Sequence, residues 1–465
     1  MTETLSPMDA SFLHLERTWA PMHFAGLSIL DPADRPGGAI TEAELREVAD
    51  RRFRRLPRLR LRPVFPWHGL RHAVWEHASA DLDWHVRRHQ LATGDTEALL
   101  GLVGRLHAAP LDHRRPLWEL HLIDGLDHGR QAILMKVHHS IADGIGGLDV
   151  AEALFDPRPH SRAAGRRAAA PAPVPAWLAG LQLLEGAGRF VLGGLSPDLP
   201  LFNRPVGPRR QFAIASISAA DLQAAKHRLG GTVDDVLLEV VAEGLARHLE
   251  RTSNSLPKGV RVMVPVSTRR LAGRGSGNHV TAMFFDLPLG ADPDAFVERV
   301  SALKGVLRQE HVGPALAALV EASGRLPAPL QGLAVRLATS LPTCNLVVSD
   351  IPGPAEPYRL LGARVEAMYP LMPLAPTAGV SVAALNVGGV VGVGVTADPA
   401  QLRDPGGLAA EIAEAASRLG RSRIRPARSR GPSAGRRAHR SPRPGAPARR
   451  AAAASKSASA PRRPR

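Results

Sequence analysis

Two α/β lobes joined by a flexible connector, with a basic, unstructured tail behind them, are the architecture this sequence predicts, on three observations. The chain has 465 residues, more than one hydrophobic core usually organises, so roughly two or three structural units are expected. Strand-like and helix-like stretches alternate on both sides of a Pro- and Ala-rich stretch at 157–176, the order that builds mixed α/β units. From Arg421 onward Arg alternates with Pro, Ser, Ala and Gly without one aromatic residue, a composition that cannot bury enough apolar surface to fold.

The first lobe spans 1–156. Thr41 and Glu44 form a capping box ahead of Leu45, Val48, Ala49, Phe53 and Leu56 at helical spacing, and Pro57 ends the run. Strand-like pieces follow at 73–76 and 82–86, then a helix over 96–107, strands over 117–123 and 131–138, and a helix over 145–155. Residues 157–210 read as linker and surface helix. The stretch 157–176 has almost no large apolar side chain, and Trp177 to Leu195 is apolar but interrupted by Glu185, Arg189 and several glycines.

The second lobe, 211–420, repeats the mixed pattern. A helix capped by Thr232 and Asp235 precedes strands over 260–266 and 280–287, and Asp292 with Pro293 opens the next helix. An apolar helical region ends near Ser340, and 345–349 reads as a strand. Residues 379–397 are uncharged, but Val alternates with small residues around Gly388 and Gly389. Two strands and a hairpin turn explain this better than a membrane span. A helix over 399–419 closes the body, with Gly420 as its stop.

Net charge divides by region. Residues 421–465 hold 14 Arg, one Lys and no acid, which is +15 of the total +16 and leaves +1 for the other 420 residues. The sequence pI of about 11.2 thus belongs to the tail, and the body has no nucleic-acid-binding bias. Three roles are open for 421–465: attachment to an anionic membrane surface or lipid droplet, phosphate contacts with nucleic acid, or an incidental extension of GC-rich coding DNA. Arg-for-Lys usage with abundant Ala, Gly and Pro fits a high-GC bacterial source. Cys344 is the only cysteine, which excludes an intramolecular disulfide and a cysteine zinc cluster and fits a reducing compartment. The first residues, acidic early and without a continuous apolar core, make a poor signal peptide. A cytoplasmic protein is expected, peripheral on lipid if the tail binds it.

The chemistry-bearing segment is Leu134 to Gly147, LMKVHHSIADGIGG. It places His138 and His139 at the end of an apolar strand, before a Gly-punctuated turn. Strand side chains alternate, so the two rings should face opposite ways. A histidine at a strand end can sit where a general base must. Asp143 on the turn can bond a buried cation or backbone, and Gly144 permits a backbone geometry that a side chain would hinder. The ordinary reading of an adjacent pair is structural. No metal is expected, because the spacing is not HExxH and neighbouring strand residues are poor joint ligands. Neither G-x-S-x-G nor a Walker loop occurs.

HHSIADG matches HHxxxDG, the signature of CoA-dependent acyltransferases built like chloramphenicol acetyltransferase. Its surroundings resemble the bacterial wax ester synthase/diacylglycerol acyltransferase family: Leu5 to Phe12 (LSPMDASF), Asp81 to Val86 (DLDWHV), Pro116-Leu117-Trp118-Glu119 and Gly125-Leu126. Pro265-Val266-Ser267, Gly277-Asn278, Leu287-Pro288, Ser349 to Pro354 (SDIPGP) and Tyr369-Pro370 follow in the family's order. The resemblance covers about residues 4–420. It implies a two-lobed chloramphenicol acetyltransferase-like fold with the site in a channel between the lobes. His139 would be the general base, with His138, Asp143, Gly144 and Asn278 as site support and Trp118 as packing. It implies O-acyl transfer from a long-chain acyl-CoA to diacylglycerol or a fatty alcohol, with triacylglycerol the leading product and no bound cofactor. Two positions depart from the pattern: Asp234-Asp235 stands for the family's Asn-Asp, and Asp350 for the Asn of SNxPGP. Two alternatives stay open, a condensation-type acyltransferase fed by a carrier protein, and an inactive lipid-droplet or nucleoid-binding homologue.

Overall fold

The computed structural model describes residues 3–142, 144–157, 202–253, 256–267, 280–309 and 320–421. Most of the expected linker, with its surface helix at 177–195, and the tail from 422 onward lie outside the described residues. In chain order the first half contains β1 (Glu3–Thr4), α1 (Pro7–Leu15), β2 (His23–Asp31), α2 (Glu42–Phe53), β3 (Leu61–Val64), β4 (Val74–His77), α3 (Leu82–His85), β5 (Val86–Gln90), α4 (Thr96–Ala108), β6 (Trp118–Asp124), β7 (Gln131–His138) and α5 (Gly144–Leu154). The second half contains β8 (Gln211–Ser218), α6 (Ala219–Leu229), α7 (Val233–Thr252), β9 (Gly259–Ser267), β10 (Val280–Pro288), α8 (Pro293–Gln309), α9 (Ala328–Ser340), β11 (Leu346–Ile351), β12 (Arg359–Leu360), β13 (Ala363–Leu371), β14 (Val380–Val387), β15 (Val390–Ala397) and α10 (Pro405–Arg421).

Local signals set several of these helices. Both capping boxes form: Thr41 with Glu44 starts α2, and Thr232 with Asp235 starts α7. Ser6 accepts from the Asp9 amide at 3.0 Å and caps α1, supplying a bond that a helix start otherwise lacks. The 82–86 segment begins as one helical turn, because the Asp81 carbonyl accepts from both the Trp84 and His85 amides; the strand starts only at Val86. The last helix runs through Gly420 to Arg421, so Gly420 is not its stop. A Cβ there would lie 2.6 Å from the Asp221 side chain, so the glycine serves the contact between α10 and α6.

The body holds two six-stranded sheets, β12-β13-β2-β7-β6-β5 and β10-β9-β11-β14-β15-β8, and a small sheet β1-β4-β3. Strand β7 is buried along its whole length, and its alternation divides the first lobe. Ile133, Met135 and Val137 join the core with Val48 and Phe53 of α2 and Val150 and Leu154 of α5. Ala132 and Leu134 join the opposite core with Leu99 and Val103 of α4. The second sheet packs under α7 and α10, where Val236, Val240, Leu245, Leu408 and Ile412 are buried together.

Residues 359–371 fall within the expected second lobe, yet β12 and β13 pair in the first sheet, β13 running antiparallel to β2 from Arg364 opposite Asp31 to Leu371 opposite Ala25. The same strand lies across β15, where any Cβ on Gly392 or Gly394 would strike the Met368 or Pro370 carbonyl. Those glycines mark a close backbone approach, and it joins the two sheets.

Candidate functional site

At the end of β7 the backbone stays tied on both sides. The His138 amide donates to the Leu117 carbonyl at 3.1 Å, and the His139 amide to the Met22 carbonyl at 2.9 Å. Alternation then sends the rings apart. His139, 8% exposed, stacks on Phe12 of α1 at 4.8 Å between centroids and meets Phe24 of β2 edge-on at 5.1 Å. Behind Phe24 stands Gly147 of α5, where a Cβ would lie 2.6 Å from the Phe24 ring; only glycine lets that helix close on the aromatic wall.

His138 faces the other way and is fully buried. The Ser140 amide donates to His138 Nδ1 at 3.1 Å, and the Ser140 hydroxyl lies 2.7 Å from the same nitrogen. In the neutral ring the proton is therefore assigned to Nε2, which faces Glu16 Oε1 at 3.3 Å. Glu16 Oε1 also accepts from the Met22 amide at 3.1 Å, and Oε2 lies 2.6 Å from His113 Nε2. One carboxylate thus connects the His138 ring to the strand segment whose carbonyl holds the His139 amide. Burial alone would raise the Glu16 pKa, but hydrogen bonds from His113 and His138 outweigh it and hold the carboxyl well below its ordinary range. Sequence reasoning missed Glu16, because its partners come from segments near 113 and 138.

Glu16, His113 and His138 bring three ligand-type atoms within 4.8 Å of one another. With Ser140 fixing the His138 tautomer, this set reads first as a hydrogen-bonded chain; a metal would have to displace the Nε2 proton. On the same face as His138, Lys136 is buried with its Nζ 2.9 Å from the Leu106 and Ala109 carbonyls and 3.1 Å from Glu119 Oε2. Burial would raise Glu119, yet His121 and Lys136 bring it down to about 2. Asp9, in the opening pattern, is buried and pairs with Arg58 at 3.0 Å, and Arg58 reaches the Ser140 carbonyl at 3.4 Å. Trp118 is buried, donates to the Leu59 carbonyl at 2.9 Å and meets Phe53 edge-on, a packing role. Gly144 opens α5. Asp143 and Asn278 lie outside the described residues.

The two departures from the family pattern meet. Asp234 at the start of α7 and Asp350 on β11 share a hydrogen bond, and burial, then that bond and the Asp234 charge, push the Asp350 carboxyl up to about 8, with Lys304 opposing. A protonated Asp350 can donate to Asp234 as an amide would. Lys304 itself pairs with the neighbouring Asp235 at 2.7 Å.

From the Phe24 side of the site a narrow apolar cleft of about 50 Å³ extends between the two sheets. Ile133 and Met135 of β7, Leu148 and Ala151 of α5, Met368 of β13 and Leu385 of β14 line it, and the described lining contains no charged residue.

Residues 5–186 match the model of the wax ester synthase/diacylglycerol acyltransferase catalytic domain, and residues 276–419 match the WS/DGAT C-terminal domain. A probable diacylglycerol O-acyltransferase of Mycobacterium tuberculosis, tgs2, is 31% identical over 430 residues, covering 84% of this chain and 93% of the relative. The wax ester synthase/diacylglycerol acyltransferase from Marinobacter aquaeolei superimposes with a TM-score of 0.64 at 24% identity over 90% of this chain and 98% of that one. The starter condensation domain of rhizomide synthetase shares the fold with a TM-score of 0.56 at 14% identity, over 90% and 94% of the two chains. Family models on both halves and a relative above 30% identity along most of the chain make this protein an acyltransferase, a member of the wax ester synthase/diacylglycerol acyltransferase family.

Proposed function

We propose that this enzyme transfers a long-chain acyl group from acyl-CoA to the hydroxyl of diacylglycerol, and of fatty alcohols where these are present, with His139 as general base. The observation that carries the reading is the uncharged cleft beginning at Phe24, the ring that His139 touches edge-on. A hydrocarbon chain gains from burial there at about 25 cal/mol per Å² of apolar surface, while a charged acceptor would be stranded. Diacylglycerol is favoured as acceptor because the curated relatives, tgs2 among them, are described as diacylglycerol O-acyltransferases.

In this scheme His139 takes the acceptor O–H proton as the oxygen bonds to the thioester carbon. The C–S bond breaks as the tetrahedral intermediate collapses, and the imidazolium returns its proton to the departing thiolate. Neither an acyl-enzyme nor a metal is needed. His138 and Glu16 hold the strand end, and Asp143, Gly144 and Asn278 are proposed supports by family resemblance. Incubation with labelled palmitoyl-CoA and competing diacylglycerol and hexadecanol tests the reading. Labelled triacylglycerol should dominate. Product only from carrier-protein-bound acyl groups would replace acyl-CoA as donor, and no acyl product under any of these conditions would overturn the proposal.

A further inference from the structure

Helix α9 turns its amphipathicity inside out. Helices at a protein surface normally lay their large apolar side chains on the core. Here Ala328, Gln331 and Gly332 face the body, with Gly332 against the His14 ring and Gln331 reaching the Pro7 carbonyl of α1. Leu330, Leu333, Leu337 and Leu341, spaced by about one turn, point outward at 51%, 52%, 61% and 49% exposure, and Leu326 just before the helix is 39% exposed. Five partly bare leucines in one row far exceed scattered surface apolar residues.

Charge selects what covers them. Between Glu321 and Asp350 the chain has no acid, while Arg325 and Arg336 are exposed. Beside the helix, the His14 pKa is lowered first by burial and then by the Arg336 and Arg17 charges, with the His72 ring close by. The 65–72 turn next to His72 carries Trp67 and Leu70, 69% and 65% exposed. Trp67 and His68 take φ values of 53° and 54°, a left-handed conformation that non-glycine residues adopt at a cost. Trp19, after α1, is 51% exposed.

The geometry points to α9 as the element that seats this enzyme on an anionic lipid surface, its leucines entering the acyl region and Arg325 and Arg336 meeting headgroup phosphates. The choice of a lipid occupant rests on reading the substrates as lipids. The location follows: α9 packs on α1, and Phe12 of α1 stacks on His139, so the docked face lies one helix from the proposed base.

Co-sedimentation of the full-length protein with vesicles of phosphatidylcholine, alone or mixed with phosphatidylglycerol and without acyl donor, tests this. Leu333→Ser with Leu337→Ser should weaken binding to the mixed vesicles by about tenfold or more and leave thermal stability and turnover on detergent-dispersed substrate unchanged. Arg336→Glu should remove part of the preference for phosphatidylglycerol only. A chain truncated after Arg421 should keep its dependence on the leucines. Equal binding by the leucine variant and the intact protein overturns the proposal, as does no binding by the intact protein. A wild-type dimer that the leucine variant converts to monomer also overturns it, making a second copy the occupant. An inactive protein whose vesicle binding still needs the leucines would sink the acyl-transfer reading and leave this one standing.

Discussion

Glu16 joins, through one carboxylate, the ring of His138 to the segment that fixes the His139 amide. Glu16→Gln keeps the shape and removes the charge, so turnover should fall while the protein still folds, with about 1–3 kcal/mol lost at neutral pH. The sign with pH is set by the lowered pKa. Its contribution is fully present above the ordinary value of 4.5 and is lost as pH falls toward the folded value. The stability gap between wild type and Glu16→Gln, measured by denaturant unfolding, should therefore narrow on acidification. Asp350 predicts the reverse. Its folded pKa is raised to about 8, so its share of stability is complete below the ordinary carboxylate range, declines as pH rises and levels off above about 8. Asp350→Asn should gain about 1–2 kcal/mol on wild type at pH 9 and almost nothing at pH 4. The comparison with wild type is needed because Glu239, also raised to about 8 by burial and by Glu243 and Asp292, adds to the same slope. A gap that is flat with pH would refute the shared-proton pair.

At the scale of elements, the strand that joins the two lobes is the one the sequence conceals. Strand β13 carries Pro370 near its end, and a proline argues against an interior strand; β2 shows no clean alternation because both its faces are buried. Elements with a local signal were legible: the Thr41 and Thr232 capping boxes, β7 over 131–138, and the Gly388 hairpin, whose two central glycines have φ of 61° and 86°. The opposed directions of His138 and His139 were legible too, since strand alternation needs no tertiary information. Glu16, the aromatic clamp of Phe12 and Phe24, and the meeting of Asp234 with Asp350 were not, because each depends on segments brought together only by the fold. The glycines under β13 give a direct test. Gly394→Val places carbon against the Pro370 carbonyl and should cost about 2–4 kcal/mol of stability. It should also disturb the cleft wall at Met368 to Pro370 and raise KM for the acyl donor; unchanged melting and KM would show that β13 shapes neither the fold's stability nor the cleft.

Along the whole sequence, most of the net charge and the exposed leucine row fall in different segments. Residues 422–465 carry 13 Arg and one Lys with no acid, whereas the exposed leucine row belongs to the body. Among the described residues no helix is long and apolar enough to cross a membrane. Truncation after Arg421 should leave turnover on detergent-dispersed substrate intact. It should remove mainly the salt-sensitive part of binding to anionic vesicles, since screening beyond about 8 Å acts on exposed charge. Lost turnover in the truncated protein would assign those residues to catalysis. In the proposed mechanism one of two adjacent histidines does the chemistry. Turnover of labelled palmitoyl-CoA with diacylglycerol by folded His139→Ala and His138→Ala proteins tests it most directly. His139→Ala should lose about 10²-fold to 10⁴-fold in rate with melting close to wild type, and His138→Ala should lose chiefly stability. Wild-type turnover in folded His139→Ala would rule out His139 as the general base.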